Sequence, residues 1–175
     1  MGRGTPGETL EMVKREERQN ALETWRTRLS DERTAHKRVV EAVLPVFDAW
    51  MQRRHGSLTF RLTQIITGHG CFGDYLHKIG REETARCFHC LVEERDSAAH
   101  TLAVCPAWEL ERQALRQRIG EDLSLPAVVS AMLSGETEWR AVVSFCESAM
   151  LTKEAAERSR ERSDPTRRRR HRGAA

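Results

Sequence analysis

The sequence predicts a mainly α-helical chain, a small multi-helix unit with a basic tail, and three observations predict it. Apolar residues recur at three- and four-residue spacing through most of the chain. Cysteine and histidine cluster near the middle with paired spacing. The last stretch loses its large apolar residues and ends in a run of arginines, so it reads as disordered. With 175 residues the chain is about one domain's worth. Its 39% hydrophobic content lies below the ~45–50% of a typical globular domain, and its 31% charged content above the usual ~25%. Four Trp and five Phe exclude a wholly disordered chain. The longest apolar run, residues 42–47, falls far short of the ~18 residues a membrane helix needs. The first residues, MGRGTPGETLEMVKREE, carry no apolar signal-peptide core. The expectation is a soluble, intracellular protein with no membrane partner.

Taken in order, residues 1–9 hold Gly2, Gly4, Pro6 and Gly7 and read as disordered. Residues 10–29 follow a helical pattern with Leu22, Trp25 and Leu29 on one face. Ser30 then reads as the N-cap of a second helix, with Asp31 and Glu32 in its first turn, where negative charge suits the dipole. That helix places Val40, Val43, Leu44, Phe47, Trp50 and Met51 on one stripe, and Pro45 predicts a kink or two abutting helices. Arg53, Arg54 and His55 followed by Gly56 read as a C-terminus. Ser57 reads as the cap of a short helix over Leu58, Leu62, Ile65 and Ile66, although the alternation of Leu58, Phe60 and Leu62 leaves a strand open. Gly68, Gly70 and Gly73 break the next stretch, in which Phe72, Tyr75, Leu76 and Ile79 predict a packed helical turn. Beyond the cysteines, Pro106 suits a helix start, and Trp108, Leu115 and Ile119 mark a helix closed by Gly120. Residues 126–133 form a short apolar segment, and Trp139, Val142, Val143, Cys146 and Met150 a long helical stripe. The chain thus divides into a disordered start (1–9), a basic helical segment (10–81), a Cys/His region (82–106), C-terminal helices (107–152) and a disordered Arg-rich tail (153–175).

Charge is distributed unevenly. The global net of +3 resolves into zero over residues 1–27, +4 over 28–81, −6 over 82–152 and +5 over 153–175. Two basic blocks flank an acidic one, and surface fields follow that distribution rather than the total. The candidate phosphate contacts are Arg53, Arg54, His55 and Arg61 around one turn, together with Arg167, Arg168, Arg169 and Arg170 in the tail. The tail also fits a solvated arm or a nuclear-import signal. Trp50, Phe60, Phe72 and Phe88 are candidate stacking faces for unpaired bases; Trp50 reads better as core, and Phe88 as the better stacking face.

Cysteine spacing carries the chemistry. Five cysteines without a secretory signal argue against a disulfide framework. Cys87, Cys90, His100 and Cys105 follow the pattern C-x2-C-x9-H-x4-C. Two thiolates three positions apart hold one Zn²⁺ from a tight turn, and the distant His and Cys complete a tetrahedron. Four protein ligands leave no open position, so such a zinc is structural. The competing reading is ordinary buried thiols and a capping His. His89 is an alternative ligand, but inside the two-residue gap it is expected to point away. Ser97 reads as the cap of a short helix carrying His100, and Pro106 as fixing the exit after Cys105. Cys71 and Cys146 read as bystanders, Cys146 as a small core hydrophobe.

The block Leu62-Thr63-Gln64, Thr67-Gly68-His69-Gly70-Cys71-Phe72 and Tyr75-Leu76, then the knuckle and Cys105-Pro106, resembles the carboxy-terminal end of non-LTR retrotransposon polyproteins. The likeness covers roughly residues 29–120 and is greatest to the arthropod clade that inserts into ribosomal RNA genes. The resemblance implies that Cys87, Cys90, His100 and Cys105 are zinc ligands and that the basic helices before them lie near RNA or DNA. It implies a parent polyprotein with an endonuclease and an RNA-directed DNA polymerase, active in target-primed reverse transcription at a nuclear site after cytoplasmic assembly with RNA. The chain lacks the Y-x-D-D of such a polymerase and any matching endonuclease residues, so it is expected to be a non-enzymatic accessory piece. The alternative is a zinc-stapled scaffold that packs on the reverse transcriptase body, since net −6 around the knuckle repels phosphate.

Overall fold

The computed structural model describes residues 6–31, 33, 37–90 and 95–164. Eight α-helices run among the described residues, in the order α1 (Pro6–Leu29), α2 (Lys37–Val43), α3 (Phe47–Gln52), α4 (Phe60–Thr67), α5 (Gly73–Lys78), α6 (Glu109–Ile119), α7 (Leu125–Ser134) and α8 (Glu136–Ser163). Among the described residues there is no strand, only one isolated antiparallel bridge between Arg86 and Arg95. The mainly α expectation holds, and the alternation over residues 58–62 resolves as the approach to α4 and its first turn.

The core is built around α8, against which α4, α6 and α7 pack, while α2 packs on α7. The stripe read from sequence supplies its centre: Trp139, Val142, Cys146 and Met150 are buried, with Phe145 and Ala149 beside them. Leu62 and Ile65 of α4, Val128, Val129 and Met132 of α7 and Leu115 of α6 close over that face. Each such side chain contributes about 1.5–3 kcal/mol by leaving water.

Pro45 sits in a 3-10 turn, Leu44–Val46, between α2 and α3, so the predicted interruption is two abutting helices. Trp50 packs on Trp139 with ring centroids 5.6 Å apart, as its core reading required. Gly56 has φ +72°, and the Trp139 ring lies 2.1 Å from where a Cβ would stand, so the chain turns here only without a side chain.

Four expectations are corrected. Ser30 does not open α2: its hydroxyl donates to Arg26 O at 2.9 Å, at the end of α1. Thr59, not Ser57, caps α4 by accepting from Leu62 N, while Ser57 offers its carbonyl to Trp139 Nε1 at 3.1 Å. Residues 6–9, expected to be disordered, form the first turn of α1. The helix α8 continues through residues 153–163, where disorder was expected, and Lys153, Glu154 and Glu157 are buried. Those charged side chains bury because they find partners, which a search for large apolar residues does not detect.

The helix α1 behaves differently from the rest. Leu22 and Leu29 are half-buried, but Trp25 is 60% exposed. Arg26 joins it to α3 through Asp48 and lies over the Phe47 ring.

Candidate metal centre

Cys87 and Cys90 lie at the two ends of a tight turn. The backbone N–H groups of His89 and Cys90 donate to the Cys87 sulfur, which favours thiolate there. The Arg86–Arg95 bridge and the bond from Asp96 N to Ala85 O, 2.8 Å, bring residues 95–96 back alongside residues 85–86. Ser97 then caps the next turn as expected, its Oγ accepting from His100 N at 3.0 Å. Residues His100–Val104 form a π turn, closed by a bond from Cys105 N to His100 O of 2.7 Å. In an α-helix residues i and i+5 point ~140° apart. A π turn brings them round to one side, which is how the x4 spacing presents His100 and Cys105 to a single point.

The four ligand atoms all lie within 4.8 Å of one another. Cys87 Sγ is 3.8 Å from Cys105 Sγ, and Cys90 Sγ is 3.6 Å from His100 Nε2. A tetrahedral zinc with ordinary bond lengths has S–S edges of about 3.8 Å and S–N edges of about 3.5 Å. The donor set therefore fits Zn²⁺. Cys87, His100 and Cys105 are buried and Cys90 half-buried, and four protein donors would fill a tetrahedral ion's coordination. Burial pushes the Cys105 thiol up to about 12 and raises Cys87 as well. A bound dication reverses that balance, because its charge favours the thiolates that burial disfavours. The Ala107 N–H, aimed at the Cys105 sulfur, acts in the same direction.

His89 stays outside the cluster, its ring against Trp108 with centroids 5.1 Å apart. Its burial brings its pKa down to about 4. Cys146 is fully buried on α8 and Cys71 half-buried, both away from the ligand set.

The surroundings hold residues that spacing did not reveal. Lys153 Nζ donates to both Asp96 carboxylate oxygens at 2.7 and 2.8 Å, with both side chains buried. Asp96 also accepts from Gly73 N at 3.0 Å. Gly73 is indispensable for that approach, since a Cβ would stand 2.7 Å from Ala85 O and 2.8 Å from Arg86 O. One carboxylate thereby ties the ligand segment to α5 and α8. Arg112, 1% exposed, reaches from α6 to the carbonyls around the π turn. No periodicity marks either residue.

The residues expected near nucleic acid do not form one patch. Arg53 stacks over Trp50 at 4.3 Å and Trp139 at 5.0 Å and donates to Trp50 O. His55 Nε2 is 3.0 Å from Met132 O. Arg54 is exposed. Arg61 bridges Glu147 and Glu154 on α8, each at 2.8 Å. Phe88 is 38% exposed, but the Arg160 guanidinium lies 4.3 Å from its ring centre and that of Arg86 5.0 Å. It lines an open cleft of about 490 Å³ with Glu82, Glu83 and Asp164 in its walls. Phe72, a candidate stacking face, is fully buried, whereas Phe60 is 72% exposed. Arg167, Arg168, Arg169 and Arg170 lie outside the described residues.

No helix among the described residues is long and apolar enough to cross a membrane. No family model matches the chain. No solved structure matches it. A curated protein of Nasonia vitripennis, "Retrovirus-related Pol polyprotein from type-1 retrotransposable element R1 4", is 26% identical over 148 residues, 82% of this chain and 36% of the relative. The chain thus spans about a third of the length of the curated relative it matches. The resemblance carried by the glycine-rich block and the C-C-H-C pattern is borne out: the chain is similar to a retrotransposon Pol polyprotein and carries a Cys3His cluster able to hold a metal ion.

Proposed function

We propose that this chain is a zinc-dependent accessory module of a retroelement polyprotein that positions RNA or target DNA for target-primed reverse transcription. The observation that carries the reading is the closed, buried Cys3His cluster clamped to the helical core in a chain similar to a retrotransposon Pol polyprotein. Four protein ligands make the zinc a staple, so the chain itself is not an enzyme; polymerase and endonuclease activity belong to the parent polyprotein. Nucleic acid is met by the exposed Arg54 and by the Arg-rich residues 167–170. The parent's reverse transcriptase body is the neighbouring partner, and the nucleus the place of action.

A second reading, a scaffold that packs on that body, is favoured by one observation: Arg61, His55 and Arg53 already have partners within the fold. Metal analysis with RNA and DNA gel shifts separates the two. The full chain should hold one zinc, and binding through about 5–6 phosphates should give a log–log salt slope of roughly −4 to −5. Arg54→Glu and removal of residues 165–175 should each weaken binding, and Cys87→Ser should abolish zinc uptake and with it ordered binding. A full chain that holds zinc but binds neither RNA nor DNA at low salt leaves the scaffold reading; equal binding by Cys87→Ser detaches the metal from function.

A further inference from the structure

The π turn that brings His100 and Cys105 together strips backbone carbonyls of their helical partners. Thr101 O would ordinarily accept from Cys105 N, but that N–H bonds to His100 O instead. Leu102 O would ordinarily accept from residue 106, which is Pro and has no N–H. The Ala107 N–H is taken by the Cys105 sulfur. Buried carbonyls left in this state cost about as much as a lost hydrogen bond each, so a π turn needs donors from elsewhere.

One side chain supplies them. Arg112 Nε donates to Leu102 O at 3.1 Å, and Nη2 to Cys105 O at 2.6 Å and Thr101 O at 3.4 Å. Its remaining nitrogen, Nη1, pairs with Glu109, which Arg116 holds from the other side at 2.9 Å. The fork is fixed by α6, on which both Arg112 and Glu109 stand, and it is 99% shielded from water. Its three carbonyl contacts fall on the segment running from just after His100 to Cys105.

We infer that Arg112 is a positioning residue for the metal centre: its guanidinium holds the π turn that sets the spacing of His100 and Cys105, and so sets metal affinity and ligand geometry. Lysine cannot replace it, because a point ammonium does not span three carbonyls as a planar fork does. The inference rests on the zinc-staple reading above and adds a residue that does not touch the metal.

Cobalt(II) titration of the full-length apo chain tests it, with competition against a chromophoric chelator. Wild type should show the visible bands of tetrahedral thiolate coordination; their absence removes the metal centre itself, a result separate from anything Arg112 does. Arg112→Lys and Arg112→Gln should bind cobalt about 10–100-fold more weakly, with shifted or weakened bands, and saturating zinc should restore their helical circular dichroism. Val129→Ala, which opens the core in α7, an element that supplies none of the four candidate ligands, serves as the control for destabilisation alone. It should keep the wild-type spectrum. Arg112 variants with the wild-type spectrum and affinity no lower than Val129→Ala overturn the inference, as do variants that stay unfolded in saturating zinc.

Discussion

Single side chains in this molecule carry burdens that their residue type does not advertise. Lys153 is the most telling. Its stem lies within the core, its ammonium sits 5.4 Å from the Phe72 ring centre, and its only described salt-bridge partner is Asp96. Removing one member of a buried pair leaves an uncompensated charge, which costs about 3–5 kcal/mol. Lys153→Met should therefore lower unfolding free energy by about that amount in urea denaturation. Asp96→Asn combined with Lys153→Met should recover part of the loss, because Asn can still accept from Gly73 N. A single variant that unfolds at the wild-type midpoint would remove this pair from the account of how the ligand segment is anchored. Ser30, Ser57 and Thr59 teach a related lesson. Ser30 and Ser57 read as caps from the sequence, whereas nothing there singles out Thr59, two residues beyond Ser57. The choice fell to Thr59 because its hydroxyl also reaches Glu147 at 2.7 Å, a tertiary contact across 88 residues.

At the level of elements, apolar spacing marks α6 through Leu115 and Ile119 and the proximal half of α8 through its stripe, while α7 is marked only as a short apolar segment. The distal half of α8 escaped, since its buried positions are Lys153, Glu154 and Glu157. Lys153 pairs with Asp96, and Glu154 and Glu157 join a ladder in which Arg160 meets Glu82 and Glu157, Arg81 meets Glu161, and Arg61 meets Glu154. Hydropathy reads such a stretch as solvated, whereas its partners lie on α4, on the segment leading to Cys87 and at Asp96. A chain ended at residue 152 should consequently lose cooperative thermal unfolding, while one ended at residue 164 should melt as the full chain does. Equal melting of all three would return residues 153–163 to the tail. The metal centre was more legible. Its candidate ligands are marked by residue type and spacing, and the cap at Ser97 and the exit at Pro106 follow from local chemistry. What spacing does not show is the π turn and the arginine that satisfies it, because both depend on carbonyls rather than on side-chain pattern.

For the whole molecule, the charge blocks along the chain become contacts across it. Arg61, from the basic block, closes on Glu147 of the acidic one, so part of the positive field expected before the knuckle is neutralised within the fold. The centre is likewise no independent finger, since Asp96 and Arg160 fasten it to α8. Chelation should raise amide exchange not only over residues 85–106 but also over residues 153–163. Exchange confined to the ligand segment would show that the two are energetically separate.

The same attachment has a consequence in time. All four ligands fall between Cys87 and Cys105, a short loop whose closure costs little entropy. Lys153, by contrast, leaves the ribosome long after Cys105. As domains fold during synthesis, the proposed zinc staple would be captured by a nascent chain that does not yet own its anchor, and α8 would arrive last, onto a surface that the metal has already shaped.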